Sequence, residues 1–214
     1  MLQRNRNRAF ALVLLLLFLV APFGVSQEEP PTEEELPEGA PERFVPTYTL
    51  GDQLLAINLG MFVPLFFYGG PEGVEDTQLS LGGTGSLHWS AFLNNDMAIG
   101  IEGGGMFSLT PNRRNLFMLP VMARFTYFLR AYPWEFPLHI GAGINFSRLE
   151  ENFKVDPIVK PGFSVLWNYN AEWAFGVNVS YWWVPQVYRG PDPPSDDSRY
   201  GNFMDVTLSA LYHF

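Results

Sequence analysis

An eight-stranded antiparallel up-and-down β-barrel that crosses a membrane is the all-β fold this sequence predicts, and three observations predict it. Apolar residues recur at every second position through eight segments from Leu54 onward, which is the period of a strand. In each segment one face is bulky and apolar, and the other is small and polar, mostly Gly, Ser, Thr and Asn. The connections alternate between short and long, as the turns at one end and the loops at the other end of a membrane barrel do.

The chain reads in three parts. Residues 1–26 carry Arg4, Arg6 and Arg8, an apolar run from Ala9 to Ala21, and the small residues Gly24 and Ser26. That is the layout of a secretory signal peptide. The run is too short for a spanning helix, which needs about 20 residues, and no Cys follows it to take a lipid. Residues 27–47 hold seven Glu and five Pro, a composition that buries too little surface to offset its ordering entropy, so a disordered acidic linker is predicted. Residues 48–214 are predicted to be the barrel.

The first strand sets Leu55, Ile57, Leu59, Met61 and Val63 on its bulky face. The second does so with Leu79, Leu81, Leu87, Trp89, Ala91 and Leu93, and the third with Met97, Ile99, Ile101 and Phe107. Phe117 to Leu129 forms the fourth, Leu138 to Phe146 the fifth and Val159 to Tyr169 the sixth. Trp173 to Trp183 and Met204 to Phe214 complete the set. Each is about the 9–11 residues that cross a bilayer at a tilt, or slightly more. Short turns are expected at Asn94–Asp96, Ala131–Pro137 and Asn168–Glu172, and longer loops at Phe66–Gln78, Ser108–Asn115, Arg148–Asp156 and Pro185–Arg199.

A soluble sandwich would alternate too, but it would put Lys and Glu opposite the bulky face. Only 16% of the residues are charged, against a usual level of about 25%, and the bulky faces carry almost none. Lipid outside and a narrow packed interior account for both faces. Aromatic residues gather at strand ends, where two interfacial girdles are expected. Trp89, Trp134, Trp167 and Tyr212 fall in one; Phe66, Phe67, Tyr68, Phe107 and Trp183 fall in the other.

These residues resemble the small eight-stranded outer-membrane barrels of Gram-negative-type bacteria. Leu211-Tyr212-His213-Phe214 is similar to the signal by which the barrel assembly machinery recognises them, with Tyr212 and Phe214 as its aromatics. The strand from Leu138 to Phe146, with its Gly141-Ala142-Gly143 centre, resembles one in the OmpW-type branch. The resemblance implies an outer-membrane protein with both termini in the periplasm, a monomer surrounded by outer-membrane lipid. The OmpW-type likeness further implies a narrow conduit for small hydrophobic solutes that leave sideways through a gap in the wall.

No cofactor or metal motif is present. Gly103-Gly104-Gly105 lies inside a strand, not ahead of a helix where phosphate would bind. A net charge of −9 and 13 basic residues make nucleic acid a poor partner. There is no Cys, hence no thiolate site.

The candidate functional residues are polar ones that face inward. Glu102 and Arg124 sit on neighbouring strands, placed to meet opposite or diagonally, and Lys160 and Asp205 add further interior charges. They read either as a lumen gate or as a structural bridge that fills the barrel. His88 and His139 face the same interior, as satisfied polar groups or as parts of an acid/base site. Pro120 and Pro161 interrupt strands. Proline cannot donate to a ladder, so each marks a benign bulge or a gap in the wall. Three functions follow: a narrow conduit, a surface barrel that acts through its loops, and, ranked last, a lipid-modifying enzyme. A non-enzymatic conduit is the expectation.

Overall fold

The structure, a computed structural model, describes residues 47–69, 73–110, 115–149, 152–187 and 198–214. The leader at 1–26 and the acidic linker, apart from Thr47, lie outside the described residues. The strands are β1 (Gln53–Gly69), β2 (Val74–Asp76), β3 (Gly82–Asn94), β4 (Met97–Leu109), β5 (Asn115–Ala131), β6 (Trp134–Leu149), β7 (Asn152–Asn168), β8 (Trp173–Gln186) and β9 (Arg199–His213). Eight of them pair antiparallel in chain order, and β1 pairs with β9 to close the barrel. The short β2 pairs antiparallel with Phe66–Tyr68 at the end of β1.

Alternation places the side chains as the sequence predicts. Leu59, Ile101, Leu119 and Leu208 stand exposed on the outer wall, while Asn58, Glu102, Ser180 and Thr207 are buried inside. An exposed apolar belt this continuous belongs against lipid, since water would oppose it. Gly176 keeps two strands close. A Cβ there would stand 1.9 Å from the Val165 carbonyl oxygen on β7.

Four elements differ from the sequence reading. Leu79, expected on the bulky face of the second strand, lies ahead of β3 and packs inward beside Phe62 and Trp182. The predicted turn over Ala131–Pro137 shrinks to Tyr132 and Pro133, with β6 starting at Trp134. The predicted loop at Arg148–Asp156 is mostly strand, because β6 runs to Leu149 and β7 begins at Asn152. Polar and charged residues there face the lumen, which hides the strand from a hydrophobicity count. Phe67, expected in a girdle with Phe66 and Tyr68, packs inward on Phe203, with ring centroids 6.0 Å apart. The cause is a bulge between Pro64 and Phe66. One extra residue moves every following side chain to the opposite face.

Inside, the barrel is layered. The lower layer holds Leu54, Phe92, Phe128, Leu166 and Leu211. Above it come polar pairs: Ser209 Oγ donates to Asn58 Oδ1 at 2.6 Å, and Ser164 Oγ donates to Asn178 Oδ1 at 2.9 Å. A charged layer follows, and then an upper apolar layer of Phe62, Met106, Met118, Met122, Ile158, Trp182, Val184 and Phe203.

Candidate functional site

The charged layer is one network. Arg124 Nη1 lies 2.5 Å from Glu102 Oε2, and Lys160 Nζ lies 2.8 Å from Glu102 Oε1. Lys160 also reaches Asp205 Oδ2 at 2.9 Å. Trp182 Nε1 donates to that same oxygen at 2.7 Å, and its ring lies 4.8 Å from the Lys160 ammonium. All four charged side chains are at most 3% exposed. Two carboxylates and two cations leave the layer neutral, which is how a dry interior tolerates charge. Gly100 is the residue opposite Arg124 on β4 and Met122 the residue opposite Glu102 on β5, so the Glu102–Arg124 contact is diagonal. Lys160 reaches in from the other side of the lumen.

His88 lies directly across the β3–β4 ladder from Glu102. His139 Nε2 is 3.2 Å from Ser180 Oγ, and a Cβ at Gly162 would come within 2.8 Å of both groups. Each imidazole is sealed in the lumen, 5% exposed. Beneath the network, Asn58, His88, Arg124, Thr126 and Ser164 line a void of about 10 Å³, room for roughly one water. No group of three or more His, Asp or Glu is placed to hold a metal among the described residues.

The lower mouth is stoppered by a residue ahead of β1. The Tyr48 ring stacks on Phe92 at 4.4 Å and on His213 at 4.5 Å, with the Arg130 guanidinium 5.0 Å from its centroid. Its backbone N–H donates to Asn95 Oδ1 at 3.0 Å. Burial, with Glu135 nearby, pushes the Tyr48 phenol well above its usual pKa.

The wall has two breaks, and proline explains each. The β4–β5 ladder loses its pairs at Leu119 and Pro120, while β5–β6 continues through Pro120 opposite Asn145. The Val121 carbonyl points at Gly143 on β6. Since successive residues aim their backbone groups to alternate sides, Pro120 faces β4, where its missing N–H breaks the ladder. The β7–β8 break is longer. Pairing runs from Asn168↔Ala174 to Gly162↔Ser180, returns once at Val159↔Trp183, and forms nowhere above that among the described residues. The Val165 carbonyl points at Gly176 on β8, and the Val179 carbonyl points at Gly162 on β7. Odd-numbered residues of both strands therefore aim their backbone groups across this seam. Pro157, Pro161 and Pro185 are all odd, and the register places Pro157 opposite Pro185, where neither has an N–H to give.

The structure thus brings Glu102, Arg124, Lys160 and Asp205 together, and sets His88 and His139 next to them. Pro120 and Pro161 stand at separate breaks, and Tyr212 and Phe214 stack outside, 5.8 Å apart. The sequence reading missed Trp182, Pro157, Pro185 and Tyr48. Trp182 was legible as the inward residue between the outward Tyr181 and Trp183. The pairing of Pro157 with Pro185 needs a register that only the closed barrel supplies.

A family model whose description states no function matches residues 33–212. An uncharacterized protein of Borreliella burgdorferi is 25% identical over 150 residues, 60% of this chain and 70% of that one. Another, from Treponema pallidum, is 23% identical over 174 residues, 77% of this chain and 78% of that one. Among solved structures, Neisserial surface protein A aligns with a TM-score of 0.56 at 10% identity, over 77% of this chain and 97% of that one. The attachment invasion locus protein of Yersinia pestis aligns at 0.47 and 14% identity, over 78% and 100%. The first structural likeness is one of fold: a small outer-membrane-type β-barrel.

Proposed function

We propose that this chain, which belongs to the family matched over residues 33–212, is a monomeric, non-enzymatic outer-membrane barrel that passes small apolar solutes sideways through its wall. The observation that carries this reading is the β7–β8 seam, unpaired above Val159↔Trp183. Ile158, Trp182 and Val184 of the upper apolar layer stand directly behind it. A solute entering from the outer mouth meets apolar side chains, then a wall without hydrogen bonds, then lipid. Further descent is stopped by the charged layer, where Glu102, Arg124, Lys160 and Asp205 act as a plug.

Restoring the donors tests this. Pro157→Thr with Pro185→Val gives both strands an N–H across the seam. The double variant should be more stable than the wild type by roughly 1–3 kcal/mol, the net worth of two hydrogen bonds. Its transfer of an apolar dye into proteoliposomes should fall several-fold. Unchanged transfer in a folded, stabilised variant would remove the seam from the route. The sealed lumen favours a second reading, a surface barrel that acts through its loops. Wild-type protein that moves neither dye nor ions would decide for it.

Tyr212 and Phe214 are proposed as the handle taken by the assembly machinery. Both rings face outward at the lower rim, where Tyr212 packs on Phe214 and Trp173. The Phe214 backbone bonds to Gln53 in both directions, so Phe214→Ala, which keeps those bonds and removes the ring, should leave protein stranded in the periplasm while its folding into lipid in vitro is retained. Normal membrane levels of Phe214→Ala would reject the assignment.

A further inference from the structure

At the top of the seam, the inner wall carries polar side chains that the barrel itself leaves unsatisfied. Asn145 is fully buried, yet both its amide nitrogen and its amide oxygen lack a hydrogen-bond partner. Asp156 stands directly opposite it on β7, 4% exposed, with Oδ2 equally unpartnered. Unsatisfied buried groups are rare because each costs the hydration it gave up. Here three such atoms fall on two residues that face each other across the β6–β7 ladder. Lys154 Nζ lies 3.6 Å from Asp156 Oδ1, and the Gln186 side chain reaches Asp156 from the other edge of the seam. Ile158 follows Asp156 on the inner face of β7, and its neighbours in the upper layer are Trp182 and Val184.

We infer that Asn145 and Asp156 bind the head of a single-chain amphiphile whose tail lies in the seam, and that the head is an uncharged polyol such as a glyceryl group. This rests on the seam being the route. Chemistry selects the head. Lys154 and Asp156 stand 3.6 Å apart, so an anionic head meets the carboxylate and a cationic head meets the ammonium. The open valences are of both kinds: the Asn145 amide offers donors and an acceptor, and Asp156 Oδ2 only accepts. A hydroxyl both donates and accepts, so two adjacent hydroxyls satisfy all three atoms. The side chains below are the apolar Ile158, Trp182 and Val184, which suit an alkyl chain and offer nothing to a second polar group but the Trp182 indole, already bonded to Asp205.

The test uses refolded full-length protein in phosphatidylcholine nanodiscs and two photoactivatable probes of equal chain length. One is a monoacylglycerol with a diazirine on its chain, and the other is the matching diazirine hydrocarbon. In the wild type both should label seam residues, the monoacylglycerol more strongly. Asn145→Leu removes the amide at similar volume and should lower monoacylglycerol labelling by roughly three- to tenfold, the worth of one or two hydrogen bonds. Hydrocarbon labelling should not change. The melting temperature of Asn145→Leu should rise, since an unsatisfied group has been removed. Asp156→Leu is the second variant and should shift the same labelling ratio. A folded Asn145→Leu and Asp156→Leu pair with the wild-type ratio would overturn the head site and leave the conduit standing. Absence of seam labelling by either probe in the wild type would overturn both.

Discussion

Glu102→Gln should destabilise the barrel by about 3–5 kcal/mol, more than the loss of Arg124 at the end of the chain of charges. Among the described residues, Glu102 is the one carboxylate that touches two cations, Arg124 at 2.5 Å and Lys160 at 2.8 Å. Neutralising it leaves Lys160 on Asp205 and strands Arg124, and stranding a buried charge carries that cost. The effect should be asymmetric. Arg124→Met leaves Glu102 bonded to Lys160, and Lys160 to Asp205, so its loss should be nearer 1.5–3 kcal/mol, the worth of a hydrogen bond to a charged group. Equilibrium unfolding from detergent micelles reads both values. An Arg124→Met loss equal to or above that of Glu102→Gln would mean that Lys160 does not share the carboxylate. Single-channel recording adds the functional arm: a gate predicts new conductance in Glu102→Gln, and a plain plug predicts a silent, weakened barrel.

Leu208→Arg should cost about 2–4 kcal/mol, the penalty for a charge on the lipid face near the bilayer midplane. Leu208 is 72% exposed on β9, between Leu59 of β1 and Val177 of β8. Ser209, the next residue, faces inward and donates to Asn58. An Arg there meets a filled lumen, not lipid, so its penalty should not vary with bilayer thickness, whereas that of Leu208→Arg should. Reversible unfolding in liposomes of two chain lengths separates the cases. A Leu208→Arg barrel as stable as the wild type in both would reverse the assigned faces.

Both experiments rest on the feature most legible in the sequence, the alternation of bulky and small residues. Period two fixes which side chains point inward, so Glu102, Arg124, Lys160 and Asp205 could be placed in the lumen from sequence alone. The Glu102–Arg124 diagonal was within reach because one loop joins the two strands and limits their register. The bond from Lys160 to Glu102 was not, since it spans the lumen and depends on the stagger of the closed barrel. The same limit hid the facing of Pro157 and Pro185. Strand ends were lost for a different reason. Near Arg148 and Asp156 the inward residues are polar and the outward ones are interrupted by Pro157, so the pattern resembles a loop although the ladder continues.

The stack of Tyr48 on His213 has a consequence for the order of folding. One ring precedes β1 and the other ends β9, the two strands whose pairing closes the barrel. Contacts between the ends of a chain carry the largest loop-closure cost, so they form late, after the intervening hairpins have zipped. Interactions absent from the folding transition state act on the rate of unfolding and hardly on the rate of folding. Tyr48 therefore works as a clasp: it contributes little to how fast the wall assembles, and it sets how long the finished ring stays shut.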